Sequence, residues 1–153
     1  MKIKDIMSRD VEVVTPDTSL HEVAQKMRKR DCGAVLVATN DKLVGVITDR
    51  DIAIRCVAEA HHPSETTAQQ VMSPEVLYCR DTDEAADVAR NMSDNKVRRL
   101  VVLDENKRMV GIVSLGDLAI VSADHNICGT ALGLICHPKL AAVPLPTPKE
   151  QKA

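Results

Sequence analysis

The 153-residue chain is nearly free of aromatic residues. It has no Trp, no Phe and a single Tyr, so aromatics make up 1% of the residues although hydrophobic residues make up 44%. The core must therefore be built from aliphatic side chains, Met and Ala. Proteins that hold single-stranded nucleic acids by stacking bases on aromatic rings need more such rings, so the composition argues against that function.

The chain also lacks an excess of charge of one sign. Its 20 Lys and Arg and 22 Asp and Glu give a net charge of −2, and the two signs are interspersed. Because no basic face stands out, we expect no nucleic-acid partner. No apolar run reaches membrane-spanning length and the N-terminus lacks the apolar segment of a secretory signal, so we expect no membrane partner and a cytoplasmic protein.

Five cysteines are present, and in such a chain they indicate reduced thiols rather than a disulfide framework. Cys32 and Cys79 lie in or beside apolar runs and are interpreted as small buried hydrophobes. His125 and Cys128, together with Cys136-His137, offer metal ligands, but their spacing matches no strong zinc pattern. We therefore expect no metal ion.

The main positive feature is a repeat with a period of about 65 residues. The first copy begins at Asp5-Ile6-Met7-Ser8 and ends at Gly45–Asp51, and the second begins at Gln70-Val71-Met72-Ser73 and ends at Gly111–Asp117. Two copies of one supersecondary unit predict a pseudo-symmetric module whose ligand sites lie where the copies meet. One copy alone, at about 60 residues, buries too little surface to be stable, so we expect a shared core.

Both copies show the same order of hydrophobic periods. In the first copy a short β-type run, Val11–Val14, precedes a helix whose apolar residues recur at i, i+3, i+4 and i+7. These residues are Leu20, Val23, Ala24 and Met27, and they predict one apolar helix face toward a sheet. Two continuous runs rich in β-branched residues follow, and such runs are typical of strands covered on both faces. A second helix comes after them.

The chain is therefore predicted to be an α/β protein. It contains two pseudo-symmetric β-α-β-β-α repeats packed through their sheets, followed by a C-terminal helix and a disordered tail. The predicted segments are 2–62 for the first repeat, 66–122 for the second repeat, 124–137 for the helix and 138–153 for the tail.

Each copy ends in a hydroxyl residue followed three positions later by a carboxylate, at the predicted start of a helix. These pairs are Thr48 with Asp51 and Ser114 with Asp117. A helix N-terminus presents free backbone N–H groups that suit a phosphate, and a carboxylate there can accept hydrogen bonds from both hydroxyls of a ribose. The same pattern is also a helix N-cap, so one copy alone leaves both interpretations open.

Arginines lie in register with these pairs. Arg50 falls between Thr48 and Asp51, and Arg98 and Arg99 precede the apolar run of the second copy. Arginine beside a helix N-terminus is suited to bidentate phosphate contacts. The alternative is a pair of solvated surface side chains.

Together these features resemble a tandem cystathionine-β-synthase (CBS) domain pair, the Bateman module, over about residues 2–122. Residues 43–57 and 135–138 are also similar to hypoxic response proteins, which are stand-alone CBS pairs. The residues that carry the family resemblance are the two Met-Ser starts, Val14-Thr15-Pro16, Gly33-Ala34-Val35, Val97–Val102 and the two endings Gly45–Asp51 and Gly111–Asp117.

The resemblance implies that adenine nucleotides bind in two clefts between the copies, with Asp holding ribose, Thr or Ser reaching phosphate, and small or apolar residues facing the base. One, here called the serine cleft, would combine Thr15, Gly33 and Ala34 with Ser114, Gly116 and Asp117. The other, here called the arginine-rich cleft, would combine Arg80, Val97, Arg98 and Arg99 with Thr48, Arg50 and Asp51.

The two predicted clefts differ in charge. Arg80 stands where the first copy has Thr15, and Leu115-Gly116 replaces Asp49-Arg50. We therefore expect unequal occupancy, with the arginine-rich cleft binding more strongly and favouring the more highly phosphorylated ligand.

The predicted function is a regulatory module that binds AMP, ADP, ATP or NAD and acts as a cytoplasmic energy or stress sensor. Because the chain contains no effector domain, it would act in trans on an unidentified effector protein, and the resemblance implies a homodimer. The adenine nucleotide would be a ligand, and no resident cofactor is expected.

Two other functions would draw on different residues of the sequence. Catalysis could draw on Glu12, His21, Cys32, Asp49 and Asp51, but no nucleophile elbow, Walker loop or metal-ligand motif supports it, so no enzyme is expected. The alternative is a ligand-free interaction protein with empty clefts, in which the C-terminal cysteines serve a redox or partner-binding role.

Overall fold

The computed structural model describes residues 1–40, 42–121 and 125–136. Over these residues the chain forms two three-stranded sheets, one from each repeat. The first repeat contains β1 (Val13–Val14), α1 (Leu20–Arg30), β2 (Ala34–Thr39), β3 (Lys42–Thr48) and α2 (Asp49–Ile52), which continues as a π-helical turn (Ala53–Val57). A short helix, α3 (Ala68–Val71), precedes the second repeat, which contains β4 (Tyr78–Arg80), α4 (Ala85–Asp94), β5 (Arg99–Leu103), β6 (Met109–Ser114) and α5 (Leu115–Val121). The last described element is α6 (His125–Cys136).

The two sheets have the same topology. In each, the first strand pairs in parallel with the second, and the second pairs antiparallel with the third. Ala34 lies opposite Thr48 in the first sheet, and Arg99 lies opposite Ser114 in the second. The predicted α/β fold of two β-α-β-β-α repeats is therefore confirmed, with Ala34 and Arg99 at equivalent positions.

Helix α1 illustrates how the local sequence specifies an element. Ser19 is its N-cap, and the Ser19 side chain accepts a hydrogen bond of 3.2 Å from the backbone N–H of Glu22. Leu20, Val23 and Met27 are buried as predicted, but Ala24 is exposed. The buried face of α1 is therefore narrower than the periodicity predicted.

Helix α6 packs against α4 and α5 of the second repeat and buries Cys128 and Ala131. This confirms the predicted C-terminal helix over His125–Cys136. Its predicted first and last residues, 124 and 137, and the predicted tail, 138–153, lie outside the described residues.

The segment that precedes each repeat packs into the other one. Ile3 and Met7 belong to the hydrophobic cluster of the second repeat, whereas Ala68 and Val71 belong to that of the first. Backbone pairs follow the same exchange, since residue 8 pairs with residue 112 and residue 73 pairs with residue 46. Neither core is complete without residues from the other half of the chain.

Among the described residues, no helix is long and apolar enough to cross a membrane.

Candidate functional site

A cleft of about 700 Å³ lies between the two repeats. Its wall in the first repeat is the junction of β3 and α2, residues 48–51, and its wall in the second is the start of β5, residues 95–101. Val46 and Ile112, from β3 and β6, add apolar surface. The volume and the mixture of apolar and polar walls are typical of small-molecule sites, which range from about 300 to 1,000 Å³.

The β3–α2 junction is held by a capping box. The Asp51 carboxylate accepts a hydrogen bond of 2.9 Å from the backbone N–H of Thr48, and the Thr48 hydroxyl oxygen accepts one of 3.1 Å from the backbone N–H of Asp51. Asp51 also lies 3.6 Å from the Arg55 guanidinium. Within the described part of the chain the Thr48 hydroxyl proton has no acceptor, so this hydroxyl is free to donate to a ligand.

The equivalent junction of the second repeat uses its hydroxyl differently. Asp117 accepts hydrogen bonds from the Ser114 backbone N–H at 2.8 Å and also from the Ser114 hydroxyl at 2.7 Å. The Ser114 hydroxyl proton is therefore already engaged. The helix-cap interpretation thus describes the local structure at both junctions, while only Thr48 keeps a free donor.

Arg98 and Arg99 project from the start of β5 and are exposed. A Cβ atom on Gly33 would lie 2.9 Å from Nη2 of Arg99 and 3.2 Å from a carboxylate oxygen of Asp49. Arg99 thus reaches from the second repeat onto the backbone of the first, and Gly33 leaves room for it. Arg98 donates to the Cys136 sulfur at 3.6 Å.

The lining of the cleft has one more cation than acids. Within the described residues Arg50, Arg98 and Arg99 form no ion pair within 4.0 Å. Its ionised lining residues are the cations Arg50, Lys96, Arg98 and Arg99 and the acids Asp49, Asp51 and Glu75. The three guanidinium groups, which lack an acidic partner among these residues, are available to an anion.

Most of the residues predicted for the arginine-rich cleft meet in this cavity. They are Thr48, Arg50, Asp51, Val97, Arg98 and Arg99. Arg80 does not line it. Arg80 lies at the end of β4, opposite Leu103, and its backbone N–H donates to Asp83 at 2.8 Å.

The residues predicted for the serine cleft are not brought together. Ala34 lines the arginine-rich cleft instead, and the Arg99 guanidinium lies over Gly33. Thr15 and Asp117 do not line this cleft, nor do they line a second cavity that lies beside α6. The Thr15 hydroxyl donates to Asp17 at 2.6 Å.

Ser114 and Gly116, the other two predicted residues of the serine cleft, line a separate cavity of about 470 Å³. Helix α6 forms the far wall of that cavity through Cys128, Gly129 and Leu132. These two residues therefore face a helix outside both repeats, and no first-repeat residue lines their cavity.

Sequence reasoning missed several lining residues of the arginine-rich cleft. Asp49 and Lys96 adjoin residues that were predicted, so a wider reading of the same motifs could have found them. Ile135 reaches the cleft from α6, and no local signal in the sequence indicates that contact.

None of the five cysteines, all of which lie within the described residues, forms a disulfide. Burial raises the pKa of Cys79 to about 12, so this thiol stays protonated in the folded protein. Among the described residues, no group of three or more His, Cys, Asp and Glu side chains is placed to hold a metal ion. His137 lies outside those residues, and the absence of a metal stays a prediction.

The family model for the CBS domain matches residues 3–57 and 68–124. The chain therefore belongs to the CBS domain family and contains two CBS domains, which confirms the resemblance found in the sequence.

Relatives of similar length share this organisation. The CBS domain-containing protein YhcV of Bacillus subtilis is 36% identical over 135 residues, covering 88% of this chain and 95% of YhcV. Hypoxic response protein 1 of Mycobacterium tuberculosis is 33% identical over 140 residues, covering 91% of this chain and 96% of that protein.

Solved structures agree. The crystal structure of hypoxic response protein I with two coordinated zinc ions has a TM-score of 0.70 at 33% identity, covering 79% of this chain and 98% of that one. The crystal structure of CBSX2 in complex with AMP has a TM-score of 0.68 at 25% identity, covering 79% of this chain and 95% of that one.

Proposed function

We propose that this chain is a regulatory CBS pair that binds an adenine nucleotide, such as AMP, ADP, ATP or NAD, in the arginine-rich cleft. The observation that carries the proposal is the meeting of a free Thr48 hydroxyl and the Asp51 carboxylate with Arg98 and Arg99 in one cleft between the repeats. The complex of CBSX2 with AMP, a structural relative at 25% identity, supports this class of ligand.

Each group has a distinct role in the proposed complex. The Asp51 carboxylate accepts hydrogen bonds from the ribose hydroxyls through its remaining lone pairs. Thr48 donates to a phosphate oxygen, and Arg50, Arg98 and Arg99 neutralise the phosphate charge. The base lies on the apolar surface of the cleft, formed by Val46, Val97 and Ile112.

The proposed module binds its ligand without transforming it. The ligand contacts both repeats, so its binding free energy favours the arrangement of the repeats that forms the cleft. A nucleotide regulates a partner only by the difference between its affinities for two such arrangements. The module would act in the cytoplasm on an effector protein in trans.

We further propose that the chain forms a homodimer through helical faces. The second helical segment of the first repeat leaves Ile54 45% exposed and Val57 66% exposed. An apolar face that packs on its own symmetry mate forms a closed dimer, and sedimentation equilibrium measures its mass.

The test is thermal unfolding of the protein with AMP, ADP, ATP, NAD and S-adenosylmethionine, for the wild type, Asp51→Asn and Asp117→Asn. The two variants form a matched pair because each changes the acid of one capping box and Asn can still accept the backbone hydrogen bond. A nucleotide at 100 times its dissociation constant stabilises the folded state by about 2.7 kcal/mol. We expect Asp51→Asn to remove this stabilisation and Asp117→Asn to keep it.

The second candidate function is a ligand-free interaction protein that uses the C-terminal thiols. The exposed Cys136 and its contact with Arg98 favour it. If no nucleotide at millimolar concentration raises the unfolding temperature of the wild type, the proposal of nucleotide binding is wrong and this second function gains support.

A further inference from the structure

The cavity beside α6 differs in character from the arginine-rich cleft. It measures about 470 Å³ and lies between α5, α6 and the start of β5. Its walls are mainly apolar, with Leu115 and Ala119 on α5 and Cys128 and Leu132 on α6. A volume of this size with apolar walls is typical of a site for a small apolar molecule.

Two glycines on the facing helices keep this cavity open. A Cβ atom on Gly129 would meet no atom within 4 Å, and one on Gly116 would meet only the Ser114 hydroxyl oxygen, at 3.5 Å. Any larger side chain at position 129 would therefore project into free space rather than into packed protein.

Two cationic side chains line the cavity. Arg98 and Arg99 line it, and within the described residues neither has an acidic partner within 4.0 Å. The Ser114 hydroxyl already donates to Asp117, whereas the two guanidinium groups are charged donors within reach of a ligand in the cavity. Two guanidinium groups without an acidic partner, beside an apolar chamber, favour a molecule with one anionic head and an apolar body.

We propose that this cavity binds an amphipathic carboxylate, of which a medium-chain fatty acid is the simplest example. Its hydrocarbon chain lies between α5 and α6, where contact with apolar walls removes it from water. Its carboxylate accepts charge-assisted hydrogen bonds from Arg98 or Arg99. The cavity shares these two arginines with the arginine-rich cleft but none of that cleft's other lining residues.

The experiment is isothermal titration of the full chain with decanoate, compared with decanol and decylamine. We expect decanoate to bind and each of the other two, which lack the anionic head, to bind at least about tenfold more weakly. Gly129→Leu fills the cavity and should weaken decanoate binding by at least about tenfold.

Gly133→Leu is the matched control. Gly133 lies on the same helix, a Cβ atom there also meets no atom within 4 Å, and it does not line the cavity. Both substitutions raise helix propensity equally, so Gly133→Leu should leave decanoate binding unchanged.

Three results would overturn the proposal: no heat of binding for decanoate in the wild type, equal affinity in Gly129→Leu, or equal affinity for the three head groups. Gly129 lines this cavity and not the arginine-rich cleft, so Gly129→Leu should leave the nucleotide-induced stabilisation unchanged, which separates the two sites.

Discussion

At the residue scale, Gly45 and Gly111 are equivalent positions on β3 and β6. At each of them the segment that precedes the other repeat, Met72-Ser73 or Met7-Ser8, crosses the strand. A Cβ atom on Gly45 would collide with the flexible side chain of Met72. A Cβ atom on Gly111 would lie 2.7 Å from the backbone carbonyl oxygen of Ser8 and 2.9 Å from the Met7 sulfur. A side chain can rotate away, but the backbone of Ser8 is held by its pairing with Ile112 and must move with that pairing.

Gly111→Ala should therefore cost more stability than Gly45→Ala. Overpacking of this kind typically costs about 1–3 kcal/mol, and we expect Gly111→Ala to lie toward the upper end and Gly45→Ala toward the lower end. Urea unfolding of both variants measures the difference. In a double-mutant cycle, Met72→Ala should reduce the cost of Gly45→Ala, whereas Met7→Ala should leave most of the cost of Gly111→Ala. Equal costs for the two glycines would contradict this account.

The repeat made much of the arginine-rich cleft predictable at the residue scale. Thr48 and Asp51 could be identified because their pattern occurs twice, and Arg98 and Arg99 because they lie in register with it. Arg80 was predicted for the same cleft but lies away from it, since it pairs with Leu103 at the far end of β5. That position is about 13 Å along the strand from Arg99, at 3.3 Å per residue.

At the element scale, the N-terminal segment is a structural part of the second repeat. The backbone N–H groups of Ile3 and Lys4 donate to the carbonyl groups of Asp83 and Asp81, at 3.0 and 2.9 Å. The Lys2 ammonium lies 2.8 Å from the Glu84 carboxylate. This contact, together with the N-terminal amine, lowers the pKa of Glu84 to about 2.

The lowered pKa of Glu84 predicts a pH-dependent contribution to stability. A carboxyl group with a depressed folded-state pKa stabilises the protein above its unfolded pKa, here 4.5, and loses that stabilisation as the pH falls toward 2. Between these pH values the thermal midpoint of the wild type should fall more steeply than that of Glu84→Gln. The difference should be small and should shrink in high salt, because the pair is exposed to solvent. Parallel pH profiles would contradict the role of Glu84.

Hydrophobic periodicity predicted most elements but not their partners. The order of strands and helices in each repeat followed from periods that are local in the chain. Periodicity does not indicate which of two equivalent sheets a segment covers. The packing of Ile3–Asp5 and Ala68–Val71 against the opposite repeats could therefore not be predicted from the sequence. The position of α6 beside Ser114 could not be predicted either, because it depends on tertiary packing and not on the local sequence.

At the scale of the whole molecule, the exchange makes the two repeats one cooperative unit. The first cluster needs Ala68 and Val71, and the second needs Ile3 and Met7. Each repeat alone would lose buried residues from a core that is already small for an independent domain.

Separate fragments should therefore not fold. Residues 1–62 and residues 63–153, expressed separately, should each show poorly dispersed amide NMR signals and no cooperative thermal transition by far-ultraviolet circular dichroism. The full chain should unfold in a single transition. Cooperative unfolding of either isolated fragment would show that the exchanged contacts are dispensable.

The central claim is that one adenine nucleotide binds per chain, between the repeats and against the free guanidinium groups. Isothermal titration of the preferred nucleotide into the wild type, Asp51→Asn and Asp117→Asn tests it most directly. The account predicts one site per chain, affinity lowered at least about tenfold by Asp51→Asn, and near-wild-type affinity for Asp117→Asn. Two equivalent sites per chain, or loss of binding through Asp117→Asn alone, would contradict it.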